Sequence, residues 1–245
     1  MEKYYVANVS GGKDSMAMFL LLYRKGYPIN EVVFFDTGWE FDCIYENLRS
    51  IEYMCYLSNI RFSVLHPAQS FEYLAFEYPH KNRAGQTVIG YSWCGGRCRW
   101  GTTQKTTTIK KHFQQPQYKN KEVYHYIGLA ADEEERIAKN TDPHKLYPLA
   151  KHGITEQQAL NICLSEGYKF EENGVPLYSI LKRVSCWCCA NKNLKELMNY
   201  YRYLPKYWEQ LKEYQKRTDR PFKGKGKSVF DLEKRFMKEM NLWEK

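Results

Sequence analysis

Six residues near the N-terminus have the composition of a phosphate-binding loop. They read Ser10-Gly11-Gly12-Lys13-Asp14-Ser15 and follow directly on an apolar segment. Glycines let the backbone turn sharply and approach a phosphate, and the free N–H groups at the start of a following helix favour an anion. Lys13 adds a full positive charge, and the two serines add hydroxyl donors. The spacing differs from the Walker sequence G-x-x-x-x-G-K-[ST], so a different kind of phosphate loop is predicted.

Two close pairs of cysteines form the second group with evident chemistry. Three residues separate Cys94 from Cys98, and two residues separate Cys186 from Cys189. Four thiolates in two close pairs fit a tetrahedral Zn²⁺ or a [4Fe–4S] cluster, because each pair closes only a short loop. Cys188 is a competing ligand. The sequence alone does not show that the pairs meet in space, so separate buried or redox-active cysteines are the alternative.

Strands and helices must alternate to position the loop. Concentrations of β-branched and aromatic residues predict buried strands at residues 4–9, 31–35, 61–65 and 123–128. Helices are predicted over residues 14–25 and 41–57. This alternation indicates an α/β protein with a mainly parallel sheet and helices on both of its faces.

The pattern becomes helical after Pro148. We therefore expect a nucleotide-binding α/β core over residues 1–150 and a helical C-terminal region over residues 151–245, which carries the second cysteine pair. Thr155 and Gln158 have the spacing of a capping box. Helices are predicted there over residues 155–166, 193–203, 206–217 and 229–240.

Three turns fall at the ends of predicted strands. They are Ser10 to Ser15, Asp36-Thr37-Gly38, and Gly128 to Arg136. In open parallel sheets, ligands bind outside the carboxyl ends of the strands. We therefore expect the three turns to converge on one site.

Ser10 to Ser15 resembles the PP-loop of the ATP pyrophosphatase superfamily. Its pairing with Asp36-Thr37-Gly38 resembles the phosphoadenosine phosphosulfate (PAPS) reductase-like branch of that superfamily. The resemblance implies a five-stranded, mainly parallel sheet of the adenine nucleotide alpha hydrolase-like type. Further matches follow in the same order: Gly128 with Glu134 and Arg136, Pro148-Leu149, Pro176-Leu177-Tyr178 and Cys186-Trp187-Cys188-Cys189.

The resemblance also implies roles for individual residues. Asp36, Thr37 and Gly38 would flank the nucleoside of ATP, and Gly128 and Arg136 would close over its phosphates. The resemblance favours iron–sulfur at the four paired cysteines, because related reductases and DNA-sulfur-modification proteins use four cysteines for such a cluster, and zinc is the structural alternative. The phosphates themselves would be cradled by Ser10, Gly11, Gly12, Lys13, Asp14 and Ser15.

The chain departs from the sulfonucleotide reductases that it resembles at two places. Their C-terminal Glu-Cys-Gly-(Leu/Ile)-His motif is absent, since no cysteine follows Cys189, and their Gly-x-Arg segment reads Gly128-Leu129-Ala130. What remains is closer to ATP-using members, including sulfurtransferases that modify nucleic acid. We expect an enzyme that transfers AMP to an acceptor, with Lys13, Asp14 and Arg136 as its catalytic residues. The alternatives are a sulfonucleotide reductase with a different thiol and a non-catalytic nucleotide- or nucleic-acid-binding module.

The charge of the chain favours a polyanionic partner. The net charge is +9, and residues 80–121 contain nine Lys and Arg but no acidic residue. A second basic stretch covers residues 206–227. Such stretches attract nucleic acid, here tRNA or DNA, although ordinary solvated charges are the alternative. Mg²⁺ on the phosphates would be held by Asp14, by Asp36 or by a carboxylate of residues 132–135.

Composition also predicts the compartment. No stretch approaches the ~20 apolar residues of a membrane span, and the N-terminal residues lack the apolar region of a signal peptide. We therefore expect a soluble, cytoplasmic protein with no membrane partner. Cys43, Cys55 and Cys163 stand apart from the pairs and are expected to be small buried hydrophobic residues.

Overall fold

Five parallel strands form the main sheet of the computed structural model, which describes residues 1–96 and 98–243. Their spatial order is β3-β2-β1-β6-β7, and all four pairings are parallel. This arrangement confirms the α/β class and the five-stranded sheet that the resemblance implied. The strands are β1 (Glu2–Asn8), β2 (Glu31–Phe35), β3 (Arg61–Leu65), β6 (Lys121–Ile127) and β7 (Lys145–Leu146).

Strand β2 is the most deeply buried strand of the sheet, and four of its five residues are apolar. All five residues of β2, Glu-Val-Val-Phe-Phe, are buried. The predicted bounds of β2 and β3 are those observed, and β1 and β6 each begin two residues before the predicted start. Strand β7 was not predicted, because two residues carry no periodic pattern.

Helices of various lengths connect the strands of this sheet. The long helix α1 packs against α6 and α7, and α2 packs beside β3. Thr155 caps α7 with the predicted capping box: its hydroxyl accepts from the Gln158 backbone, and the Gln158 side chain accepts from the Thr155 backbone. These helices are α1 (Lys13–Arg24), α2 (Asp42–Leu57), α4 (Lys105–His112), α5 (Glu134–Ala138), α6 (Pro148–Lys151) and α7 (Glu156–Ser165).

The chain divides into two units that interleave along the sequence. The first unit comprises residues 1–36, 41–66 and 106–170 and contains the five-stranded sheet. The second comprises residues 37–40, 67–105 and 171–245. The predicted boundary at residue 150 stays a prediction.

The second unit is mainly helical. Its core includes Trp208, Tyr200 and Phe236, each nearly inaccessible to solvent. Two short antiparallel ribbons accompany its helices. One pairs β4 (Pro79–Lys81) with β5 (Thr87–Ile89), and the other pairs β8 (Glu171–Glu172) with β9 (Val175–Pro176). A π-helix at Arg99–Gln104 leads into α4, and a 3₁₀ turn at Pro116–Tyr118 follows α4 in the first unit.

The elements of the second unit are α3 (Phe71–Phe76), β4 (Pro79–Lys81), β5 (Thr87–Ile89), β8 (Glu171–Glu172), β9 (Val175–Pro176), α8 (Leu177–Ile180), α9 (Leu194–Tyr203), α10 (Pro205–Lys216) and α11 (Val229–Trp243). Among the residues that the structure describes, none of these or the other helices combines the length and the apolar character needed to cross a membrane.

Candidate functional site

The strand order of the main sheet places a ligand site beside β1. From β1 the chain proceeds outward to β2 and β3, and it then returns to the other side of β1 as β6. The order therefore reverses between β1 and β6, and such a switch point is where parallel α/β sheets bind ligands. Asn8 and Ile127 are paired at the last register position of these two strands. The segments that follow them are Ser10 to Ser15 and the turn that begins with Gly128.

Gly128 packs directly on the backbone at the start of α1. A Cβ added at Gly128 would lie 2.8 Å from both the Cα and the backbone nitrogen of Ser15. Contacts this short do not occur for real Cβ atoms, so only glycine fits there without a backbone shift. The structure thus brings together the first and the last of the three predicted turns.

The loop after β1 has a conformation that depends on glycine. Gly11 has a φ of 76°, and a Cβ there would lie 2.4 Å from Cγ2 of Ile44. Gly12 is the N-cap of α1, and it has no side chain to satisfy the N–H groups of the first turn. These N–H groups and the helix dipole favour an anion at this end of α1.

Ser15 holds the loop closed. Its hydroxyl accepts a hydrogen bond from the Ser10 backbone N–H at 3.0 Å and donates one to the Gly12 carbonyl, also at 3.0 Å. The two serine hydroxyls are 3.0 Å apart. The loop is therefore preorganised by its own hydroxyl groups, which the sequence analysis had considered only as donors to a ligand.

Lys13 is a buried cation between two carboxylates. Its Nζ lies 2.7 Å from Oδ1 of Asp14 and 2.9 Å from Oε2 of Glu156. Burial would lower the pKa of Lys13, but the hydrogen bonds and charges of the two carboxylates outweigh it, and the pKa is raised. The side chain therefore carries its positive charge at neutral pH. Burial raises the pKa of Asp14, and the adjacent Lys13 counteracts only part of that effect.

Glu156 contacts Lys13 although no sequence motif includes it. It is the first residue of α7, and its backbone N–H donates to Oδ1 of Asp132 at 3.0 Å. The start of α7 therefore places a carboxylate beside Lys13, and its backbone also binds the turn after β6. The only sequence signal at this point was the Thr155 cap, which fixes where α7 begins but not what its first side chain contacts.

In the acidic segment after β6, Glu133 binds two neighbouring residues of the same segment. Glu133 accepts a hydrogen bond from the Ala130 backbone at 3.2 Å and forms an ion pair with Arg136. Arg136 is exposed, and its guanidinium neutralises Glu133 in this structure. Within the described residues, no group of three or more His, Cys, Asp or Glu is arranged to hold a metal ion. A Mg²⁺ ligand among these carboxylates therefore stays a proposal.

The turn after β2 is divided between the two units. Asp36 ends the first unit's segment, where its carboxylate accepts from the Tyr45 hydroxyl at 2.8 Å and its backbone N–H donates to the Leu65 carbonyl. Thr37 and Gly38 belong to the second unit. Thr37 Oγ1 accepts from the Trp39 backbone at 3.1 Å, and Gly38 has a φ of 74° that favours glycine. Roles for these three residues toward a nucleoside stay predictions.

The two cysteine pairs meet in the second unit. They line one cavity of about 40 Å³, and Cys188 lines it too. Asn191 joins the two segments: its side chain accepts from the Gly96 N–H at 2.7 Å and donates to the Gly96 carbonyl at 2.8 Å. The same cavity is lined by Trp39, Ala75, Phe76, Ser92, Trp93, Cys94, Cys98, Trp100, Cys186, Cys188, Cys189 and Ala190.

The donor chemistry of this cavity suits a thiophilic metal. Burial raises the pKa of the Cys186 and Cys188 thiols well above the usual value, so a bound cation is needed to hold thiolates there. Lys192 is a buried basic group beside the cavity, with its Nζ 3.1 Å from the Ser185 hydroxyl. Burial lowers the pKa of Lys192, and the nearby cysteines and Glu196 counteract only part of that effect. The sulfur donors and this buried lysine fit an anionic metal–thiolate centre. The described cysteines are not arranged as a group of three or more metal ligands in this structure, so a metal at this cavity stays a proposal.

The remaining cysteines lie elsewhere. Cys43, Cys55 and Cys163 are buried in the first unit, as was predicted for small hydrophobic residues. The Cys163 thiol donates to the backbone carbonyl of Lys13 at 3.3 Å, so it contacts the first residue of α1. Burial raises its pKa to about 12, which makes it unreactive at neutral pH.

A parallel sheet with a glycine-rich loop at its switch point is typical of nucleotide-binding α/β proteins. Residues 4–141 match the phosphoadenosine phosphosulfate reductase domain, and the chain belongs to this family. An uncharacterised protein of Methanocaldococcus jannaschii is 25% identical over 228 residues, which cover 87% of this chain and 42% of that protein. The chain thus spans less than half the length of this relative.

Proposed function

We propose that this chain binds Mg²⁺-ATP at the loop after β1 and transfers AMP to an acceptor with release of pyrophosphate. The observation that carries the proposal is the buried, charged Lys13 at the start of α1, beside the close contact of Gly128 with Ser15. Family membership supports nucleotide binding at this loop. The first unit thus supplies amides and an ammonium group for a triphosphate.

The proposed reaction proceeds in two displacements. An acceptor oxygen attacks the α-phosphorus of ATP, the bond to the bridging oxygen breaks, and pyrophosphate leaves with the electron pair while the acceptor proton passes to water. A hydrosulfide ion then attacks the acceptor carbon that bears the adenylated oxygen. The bond between this carbon and that oxygen breaks, and AMP leaves with the oxygen. Lys13 and the loop amides offset the negative charge that develops on the phosphates. Asp14 orients the Lys13 ammonium through their 2.7 Å hydrogen bond.

Arg136 would contribute by leaving its ion pair with Glu133 and binding the triphosphate instead. It is paired with Glu133 on the exposed turn after β6, and a triphosphate would offer a more strongly charged acceptor. Ala130 stands where the sulfonucleotide reductases have an arginine, and this position favours the ATP-using branch of the superfamily.

A [4Fe–4S] cluster would be held by Cys94, Cys98, Cys186 and Cys189, with Zn²⁺ as the structural alternative. Such a cluster supplies a site that binds sulfur or carries an electron. The chain itself provides the sulfur donors, the buried Lys192, and tryptophans 93 and 100 to exclude water from the cavity. Nucleic acid, either tRNA or DNA, is the acceptor class that the net charge of +9 favours.

The test is pyrophosphate release from α-labelled ATP, measured with total tRNA, single-stranded DNA or no acceptor. We expect acceptor-dependent release of pyrophosphate and labelling of the acceptor or formation of AMP. Lys13→Met should abolish the reaction, whereas Lys139→Met, which removes an exposed lysine of the same unit, should not. Absence of pyrophosphate and AMP with every acceptor would refute the proposal.

A sulfonucleotide reductase is the second candidate, because the family match is to the PAPS reductase domain. It predicts release of sulfite from PAPS or adenosine phosphosulfate, with the dithiol of thioredoxin supplying the two electrons. Sulfite release that exceeds a thioredoxin-free control would favour this function over adenylation. Inactivity with both sulfonucleotides would remove it.

A further inference from the structure

The net positive charge of the chain belongs to the second of its two units. The first unit contains fifteen Lys and Arg and fifteen Asp and Glu, so its formal net charge is zero. The second unit contains twenty-two Lys and Arg against thirteen Asp and Glu, so it carries the whole net charge of +9. A polyanion other than the nucleotide is therefore attracted to the second unit.

Several cations of the second unit are already bound by other groups of the same unit. Arg217 forms ion pairs with Glu72 and Glu77. The ammonium group of Lys223 donates to the carbonyls of Ala190 and Lys192 at 2.6 and 2.8 Å, which fixes the basic turn that contains it. Neither cation is available to a polyanion.

The β4–β5 hairpin presents cations that form no ion pair within the described residues. Lys81 and Arg83 are exposed at its tip. The backbone of the tip is held by Asn82, whose Oδ1 accepts from the Ala84 and Gln86 backbones at 2.9 and 3.1 Å. The two cations therefore extend from one ordered turn.

Aromatic rings line the base of the same hairpin. The ring centroids of His80 and Tyr91 are 3.9 Å apart, and those of Tyr78 and Tyr91 are 5.9 Å apart with nearly parallel planes. Tyr91 rests in turn on the buried Trp100, at 5.9 Å. A row of half-buried rings thus extends from the core of the unit to the charged tip.

The row is held in place by the backbone of α3. The N–H of Tyr91 donates to the Leu74 carbonyl at 3.0 Å. Gly90 makes this approach feasible, since a Cβ there would lie 2.2 Å from the Ala75 carbonyl oxygen. The exposed Arg220 lies beside the row, with its guanidinium 3.5 Å from the Tyr91 carbonyl.

We propose that the β4–β5 hairpin is a binding surface for single-stranded nucleic acid. Bases stack on the outward faces of Tyr78 and His80, whose rings Tyr91 supports from the side of the core, and phosphates contact Lys81, Arg83 and Arg220. Single strands are selected because stacking on protein rings requires bases that are free of a duplex. The inference deepens the proposed function, since it identifies where the nucleic-acid acceptor is held, but binding itself requires no ATP.

The test is fluorescence anisotropy of a labelled 20-nucleotide poly(U) or poly(dT) at several salt concentrations. We expect both strands to bind and a duplex of the same length to bind more weakly. The variant with Lys81→Gln and Arg83→Gln should lose about tenfold in affinity, and its salt slope should fall by about 1.4 for the two phosphate contacts. Tyr78→Leu should weaken binding while leaving the salt slope unchanged.

The matched control is the variant with Lys110→Gln and Lys119→Gln, which removes two exposed lysines from the first unit. Equal losses in the two double variants, stronger binding of the duplex, or no binding at low salt would overturn the hairpin proposal. Lys13→Met keeps the hairpin intact, so strand binding without pyrophosphate release would refute only the adenylation. Acceptor-dependent pyrophosphate release that is unaffected by the hairpin variants would refute only the hairpin.

Discussion

The ammonium group of Lys13 and the carboxylate of Glu156 lie 2.9 Å apart although the two residues are 143 positions apart in the chain. The loop lysine is thus already engaged by protein carboxylates. A triphosphate must share or displace these partners. Replacing Glu156 by Gln removes one negative charge beside the phosphate position, and we expect affinity for ATP to rise about threefold.

Lys13→Met should have the opposite effect. It removes a charge-assisted hydrogen bond to phosphate, so affinity should fall about tenfold or more. Calorimetric titration with ATP in the presence of Mg²⁺ measures both variants, and Lys139→Met serves as control. Weaker binding by Glu156→Gln would show instead that this carboxylate assists the nucleotide, for example as a ligand to Mg²⁺.

Gly128→Ala tests whether the turn after β6 shapes the loop. The new methyl group would lie 2.8 Å from the Ser15 backbone, so the start of α1 must shift. We expect affinity for ATP to fall about tenfold and the free energy of unfolding to drop by about 1–3 kcal/mol. Gly95→Ala is the matched control, since a Cβ at Gly95 meets nothing within 4 Å. If Gly128→Ala binds ATP with wild-type affinity, the turn after β6 is not part of the nucleotide site.

The cysteine cavity predicts which substitutions lose a metal. Cys94→Ser and Cys186→Ser should each remove most bound iron or zinc, whereas Cys55→Ser, in the core of the first unit, should retain it. Anaerobic purification followed by metal analysis and an absorption spectrum gives the content and the kind of metal. Cys188→Ser decides whether the fifth cysteine of the cavity is a ligand. Equal metal content in all four variants would eliminate the site.

A buried carboxylate in the first unit predicts acid sensitivity. Burial alone would raise the pKa of Glu31, but hydrogen bonds from Ser63, Tyr118 and His112 outweigh it and lower the pKa below its usual value of 4.5. Stability from Glu31 is therefore complete above pH 4.5 and is lost as the pH falls through the lowered pKa. Arg61, at 3.7 Å, also faces this carboxylate.

Glu31→Gln should lower the free energy of unfolding at pH 7 by about 1–3 kcal/mol, because it disturbs a buried network of charged hydrogen bonds. The difference from the wild-type protein should shrink as the pH falls below 4.5. Urea unfolding at pH 7, 5 and 3 measures it. A difference that is constant with pH would show that Glu31 does not titrate in this range.

Local pattern predicted much of the fold. The bounds of β2 and β3 and the capping box at Thr155 depend on neighbouring residues, and the structure confirms all of them. Strands β4 and β5, the π-helix and α4 were not predicted, because Gly, Thr and Gln are frequent over residues 79–112 and apolar periodicity is lost there.

Long-range contacts in the candidate site could not be predicted from spacing. Glu156 reaches Lys13 only because α7 packs against α1. Asn191 links the two cysteine segments through the backbone of Gly96, and nothing in either cysteine motif identifies that asparagine as the link. The sequence therefore predicted the donors and the loop, while tertiary packing determined their partners.

A crystal structure with α,β-methylene-ATP tests the central claim most directly. We expect phosphate oxygens within hydrogen-bond distance of the amides between Gly11 and Ser15 and of the Lys13 ammonium group, with Glu156 farther from Lys13 than 2.9 Å. A nucleotide bound elsewhere, with this loop free of any anion and the Lys13–Glu156 contact intact, would contradict the account.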